Sequence, residues 1–144
     1  MKRSTDLVVK RSKVPGSGKG LFTKVFIPKH SKIAEYKGKI TSWKNADHDH
    51  GMNPYIFYVN RDHVIDAKNN QASLAHYAND AKGLNKLNNA RNNSTYTVEN
   101  KRVFIEAVAD IPAGDEILVS YGKEYWDVIK KNQRLKRKSS SKQK

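Results

Sequence analysis

Ile111-Pro112-Ala113-Gly114-Asp115-Glu116-Ile117-Leu118-Val119-Ser120-Tyr121-Gly122 reads as a tight reversal, a short apolar strand and a closing tyrosine–glycine pair. Proline sets its own φ, and the glycine two residues on tolerates backbone angles that a side chain forbids, so Ile111 to Asp115 is a turn. Ile117-Leu118-Val119 is β-branched or apolar throughout and too short for a helix, so it reads as a strand. Just upstream, Val103 to Val108 is the clearest strand of the chain. Together these two segments set the expectation of a sheet protein built from short pieces.

The same pattern continues towards the N-terminus. Leu7-Val8-Val9 begins a strand, and Val14-Pro15-Gly16-Ser17-Gly18-Lys19-Gly20 is too glycine-rich for an element and reads as a turn. Leu21-Phe22 resumes apolar character, and Ile33-Ala34-Glu35-Tyr36 reads as a strand ending before Gly38. Tyr55 to Val59 and Val64 to Asp66 form a hairpin around Asn60-Arg61-Asp62. Asn79 to Asn93 is crowded with asparagine, which bonds its own backbone, and reads as an irregular loop. A loop of that length in a small domain is usually functional or disordered. Helical spacing is confined to Glu124–Gln133, where Tyr125, Val128 and Ile129 recur at i, i+3 and i+4. The fold class expected is mainly β, many short strands with α structure at the margin. One domain is expected over residues 1–133, followed by a basic disordered tail over 134–144.

Charge and cysteine content narrow the function classes. The chain carries +14, yet twelve of those charges lie in residues 1–13 and 129–144. A nucleic-acid-binding domain tends to carry its basic stripe on the folded surface, whereas basic tails bind polyanions weakly and with strong salt dependence. The run Arg134-Leu135-Lys136-Arg137-Lys138 also suits nuclear import. With no cysteine there is neither disulfide nor thiolate zinc site. His48, Asp49 and His50 stand together, but their surroundings from Asp47 to Pro54 read as a solvated polar loop, and no metal is expected. No apolar run approaches the ~20 residues of a membrane span, and no signal-peptide core follows the basic start. A soluble protein of cytosol or nucleus is expected.

Four separated segments, taken in order, resemble the SET-domain family of protein-lysine methyltransferases. Gly18-Lys19-Gly20-Leu21-Phe22-Thr23 is similar to the family's opening glycine-x-glycine-aromatic segment. Ile33-Ala34-Glu35-Tyr36-Lys37-Gly38 resembles its tyrosine-x-glycine strand. Ile65-Asp66-Ala67 with Ser73-Leu74-Ala75-His76-Tyr77-Ala78-Asn79-Asp80 resembles the stretch ending in Asn-His-Ser, with Asn89 as the later asparagine. The turn and tyrosine–glycine pair of residues 111–122 match the family's closing segment. The resemblance spans about residues 6–128. It departs at Asp80, where the family usually has histidine, and at His76, where arginine is common. The cysteine-rich segment that follows many SET domains is absent, as in short viral and bacterial-type members. The implied fold is a β-clip of small sheets with a knotted C-terminal segment and a short C-terminal helix.

The resemblance implies transfer of a methyl group from S-adenosylmethionine to lysine, leaving S-adenosylhomocysteine. Free lysine has a pKa of about 10.4, so the amine must shed its proton, and an apolar aromatic channel favours the neutral form. Tyr121 takes the place of the family tyrosine beside the transferring methyl, its hydroxyl orienting the reactants and its ring walling the channel. Tyr36 is a second catalytic and channel candidate. Tyr55 and Tyr58, three apart and therefore not on one strand face, are candidates for the substrate groove. The cofactor site is expected from Gly18, Lys19, Gly20, Asn79, Asp80 and Tyr121. Trp126 either stacks on adenine or anchors the last helix. Two residues before the closing tyrosine, Val119 carries no polar group, which implies room in the channel and progression beyond the monomethyl product.

The substrate class implied is a protein with an exposed lysine, a histone tail foremost, with non-specific DNA contact through the basic ends and a location in nucleus or chromatin. Pairing into a homodimer is compatible with the family. Two other classes stay open at the level of sequence: a SET-fold binding module without turnover, and a basic nucleic-acid-binding protein.

Overall fold

The computed structural model describes residues 4–49, 53–68, 73–81 and 91–121. Among them ten short strands follow in chain order: β1 Leu7–Arg11, β2 Lys19–Thr23, β3 Lys32–Tyr36, β4 Lys39–Thr41, β5 Ile56–Asn60, β6 His63–Asp66, β7 Ser94–Glu99, β8 Arg102–Ala107, β9 Glu116–Ile117 and β10 Val119–Ser120. They form three small sheets, ordered β1-β2-β9, β10-β7-β8-β3 and β4-β6-β5. A 3-10 turn at Ala75–Tyr77 stands between β6 and β7 in sequence. The mainly-β expectation holds. The expected C-terminal helix, the knotted course of the C-terminal segment, the basic tail and Trp126 lie outside the described residues.

Burial patterns follow from position in the sheets. In β2 every residue from Gly20 to Thr23 is buried, and in β8 Val103, Phe104 and Ile105 are buried in succession. Both strands are central in their sheets and covered on both faces, so they read as continuous apolar runs rather than alternating ones. Leu7, Leu21, Ile27, Ile33, Ile65, Val103, Ile105, Ile111, Ile117 and Val119 meet in one core that draws on all three sheets. Val14, Ala81 and Leu118 form a small satellite core.

The closing segment does not make the single strand expected over Ile117–Val119. Ile117 pairs antiparallel with Leu21 of β2, whereas Val119 pairs parallel with Ser94 of β7. Leu118 is the switch between sheets. Its carbonyl accepts the backbone N–H groups of Asn93 (2.9 Å) and Ser94 (3.1 Å) and the Ser94 hydroxyl (3.0 Å). Alternation along extended backbone turns Leu118 to the satellite core while Ile117 and Val119 face the main one.

Three further differences have local causes. Gly20, expected in a turn, is inside β2 opposite Lys10. A side chain there would strike the Glu116 carboxylate, so the glycine belongs to a close packing contact. β4 was not legible in sequence, because its Lys39-Ile40-Thr41 run lacks a buried side chain. It forms because Gly38 lets the chain lie directly on the Asp66–Ala67 backbone, where any Cβ would overlap main-chain atoms. β7 was also missed. It is joined to β8 by Asn100-Lys101, both at positive φ (51° and 64°), the geometry that two-residue hairpins need without the usual glycine.

Candidate active site

Residues 78–80 grip residues 119–121 through three bonds. The Asn79 carbonyl accepts the Val119 N–H (2.9 Å), one Asp80 carboxylate oxygen accepts the Tyr121 N–H (3.0 Å), and the Tyr121 hydroxyl donates to the Ala78 carbonyl. Asn79 and Leu118 form a parallel bridge at the same place. Tyr121 is thus held at its main chain and at its phenol by two residues of one extended stretch. Because the hydroxyl proton is directed at Ala78, any further bond to the phenol oxygen is one that it accepts.

Asn79 also reaches the opening segment, its amide donating to the Lys19 carbonyl at 2.9 Å. With the bonds from residues 78–80 to Tyr121, it brings Lys19, Asn79, Asp80 and Tyr121 together although Lys19 and Tyr121 lie more than a hundred positions apart. Gly18, at φ +66°, has no described residue within 4 Å of where a side chain would project, so among the described residues its backbone is open on that side. Gly20 is different, since Glu116 fills the space beside it. Buried Glu116 accepts the Ser12 hydroxyl (2.6 Å) and the Lys13 N–H (2.9 Å), tying the loop ahead of β2 to the closing segment.

The wall of the site is aromatic. Tyr121 stacks on Tyr96 (centroids 6.2 Å apart, planes at 22°), Tyr96 meets Phe57 edge-on at 5.1 Å, and Tyr36 meets both at about 6 Å. Tyr36 is buried, and its hydroxyl donates to the Tyr55 carbonyl at 2.7 Å. What Tyr36 offers the site is therefore its ring. Val119 has no exposed surface and belongs to the main core, against which Tyr121 packs.

Tyr55 and Tyr58 part company, as residues three apart on extended backbone must. The Tyr55 ring lies edge-on to His76 at 5.9 Å, one bond away from Tyr36 through its carbonyl. Tyr58 is 55% exposed and packs edge-on against Trp43 in a separate cluster with His48. The His48 ring nitrogen bonds the Trp43 carbonyl at 2.6 Å. His76, half-buried between Tyr55 and Tyr77, is held below its ordinary pKa by desolvation, with the Ser73 backbone partly opposing.

Sequence reasoning missed Tyr96, Phe57 and Asn92. Tyr96 and Phe57 lie in strands and carried only β-propensity as a signal. Asn92 engages Asp80 at 2.8 Å; Asn89, expected as the later asparagine, lies outside the described residues. The crowding of asparagines from Asn79 onward gave no way to choose among them.

The profile of the SET domain matches residues 18–122, well over half of the chain. No curated protein sequence matches. Among solved structures, the methyltransferase domain of human PR domain-containing protein 2 superposes with a TM-score of 0.61. That match has 20% sequence identity and covers 81% of this chain and 77% of the human domain, so it bears on the fold. With the family's segments matched across the site just described, the chain belongs to the SET-domain family.

Proposed function

We propose that this protein is an S-adenosylmethionine-dependent protein-lysine N-methyltransferase acting on a histone-tail lysine and carrying it to the di- or trimethyl state. The observation that carries the reading is the doubly held Tyr121 at the meeting point of the Gly18–Lys19 backbone, Asn79 and an aromatic wall. The residues fit the cofactor: open backbone at Gly18 borders the Lys19–Asn79 clasp, and both lie on the chain segments that converge on Tyr121. When bound, S-adenosylmethionine supplies a methyl group on a sulfonium and leaves as S-adenosylhomocysteine.

The chain's own residues account for the rest of the chemistry. Gly18, Lys19 and Asn79 would hold the cofactor. The rings of Tyr121, Tyr96, Tyr36 and Phe57 exclude water and disfavour an ammonium by desolvation. With its hydroxyl already donating to the Ala78 carbonyl, the Tyr121 oxygen meets the substrate amine as an acceptor of its N–H and so fixes where the lone pair points. Val119, apolar and buried, carries no polar group two residues before Tyr121, which supports addition beyond one methyl. The basic ends of the chain, with most of the +14 charge, suit attachment to DNA phosphates and a chromatin location.

The test has two parts. S-adenosylmethionine at millimolar concentration should raise the melting temperature, as any ligand of the native state does. Tyr121→Phe should then lower turnover on histone peptides by roughly a hundredfold or more, the scale for losing one oriented group at a reacting centre. Its stability should fall by only about 1 kcal/mol, one hydrogen bond. No thermal shift with folded protein, or a mutant within twofold of the parent in turnover, sinks the reading.

A further inference from the structure

We propose that Asp80 and Asn92 act as a matched pair that positions Tyr121, an inference that rests on the methyltransferase reading above. Asp80 is 5% exposed, and a buried carboxylate is tolerated only when its lone pairs are bonded. One oxygen takes the Tyr121 main-chain N–H at 3.0 Å and the other takes the Asn92 side-chain N–H at 2.8 Å. The Asn92 amide is oriented by a second bond, because its oxygen accepts the Ala81 N–H at 2.8 Å. That leaves its nitrogen facing Asp80, so the order donor, carboxylate, amide, donor is fixed by chemistry.

The pair replaces what an imidazole at position 80 could offer. A neutral histidine has one acceptor nitrogen, whereas the carboxylate accepts from Tyr121 and Asn92 together. Tyr121 is then fixed at two points, main chain to Asp80 and hydroxyl to Ala78, which removes the hinge about which its phenol could swing. Asp80 is on this view a positioning residue for Tyr121 and not a cofactor ligand. Its effect belongs in kcat, because a displaced Tyr121 misaligns the amine without emptying the cofactor site.

The hydrogen-bond order makes a sharp test possible. In Asp80→Asn one of the two N–H donors loses its acceptor, so kcat should fall at least tenfold while the KM for S-adenosylmethionine stays within about twofold. The double variant Asp80→Asn with Asn92→Asp can rebuild the three bonds just described with roles exchanged. The new amide accepts from Tyr121 and donates to the new carboxylate, which accepts from Ala81. This swap should recover kcat to within about threefold of the parent. In either orientation of the new amide two N–H donors face each other and loosen the clasp, so hydrogen exchange of the Tyr121 amide, read by NMR, should be faster in the single variant than in the parent and return to the parental rate in the swap. That readout needs no activity, so a parent without turnover would sink the enzyme reading while the Tyr121 amide still judged the pair. A folded swap variant as impaired and as fast-exchanging as Asp80→Asn overturns the proposal. So does an Asp80→Asn variant whose loss is confined to cofactor KM. Should Asp80→Asn fail to fold, recovery of a folded, exchange-protected Tyr121 in the swap decides in its favour, and failure there decides against it.

Discussion

Glu116 is the residue on which the opening loop depends, and the loss can be graded. Its carboxylate takes the Ser12 hydroxyl at 2.6 Å and the Lys13 N–H at 2.9 Å, and it lies against Gly20, where a side chain would collide with it. Ser12 in turn accepts the Val14 N–H at 3.0 Å. In Glu116→Gln the amide oxygen can keep the Lys13 N–H, and the amide nitrogen can donate to the Ser12 oxygen, which has a lone pair to spare. The half-buried Ser12 hydroxyl then turns its proton to water and the charge assistance is lost, together about 1 kcal/mol. In Glu116→Ala both bonds go and a void opens beside Gly20. Two charge-assisted bonds at ~1.5 kcal/mol each, in a partly buried setting, give a loss of about 3 kcal/mol. Urea unfolding of parent, Gln and Ala forms measures both steps, and cofactor titration of the Gln form reads the loop. The Ala form should also bind S-adenosylmethionine more weakly, because residues 12–18 are released from β9. Equal stability losses for Gln and Ala would refute the bond-by-bond account, as would an Ala loss under ~0.5 kcal/mol.

Gly38→Ala places a Cβ against the Asp66–Ala67 backbone, which cannot move aside as a side chain would. Overpacking on this scale should cost about 3 kcal/mol and roughly 10 °C in Tm by calorimetry, with β4 detached from β6. His76 has a folded pKa below its unfolded value, so on acidification the unfolded chain takes up the proton first. Its share of stability is intact above pH ~6.5 and declines below it until the folded pKa is passed, and urea midpoints for His76→Gln should show a flatter pH profile there. Val119→Ala removes two methyl groups from a site with no exposed surface and should cost about 2 kcal/mol in urea unfolding. Val119→Tyr should destabilise by a similar amount through overpacking, and below its lowered melting point should shift peptide products towards monomethyl by mass spectrometry.

By itself, the sequence marked out most of the strands, β4 and β7 excepted, and singled out the closing tyrosine as a candidate. Leu21-Phe22, Ile33 to Tyr36, the Asn60-Arg61-Asp62 hairpin and Val103 to Val108 are local patterns of apolar residues between turn formers, and such patterns need no distant partner to be read. Tyr121 and Asn79 were legible for a related reason, since each belongs to a short segment with its own residue order. What the sequence could not determine was pairing. Whether Leu118 ends one strand or switches between two depends on β2 and β7, which lie far from it in sequence. The use of Gly20 and Gly38 as points of close approach depends on Glu116 and Asp66, and nothing near either glycine announces those neighbours. Asp80 read as a defect against its family pattern, because only the fold brings Asn92 and the Tyr121 N–H to its two oxygens. A hydrogen bond requires partners within about 3 Å, and for residues forty positions apart only tertiary structure sets that distance.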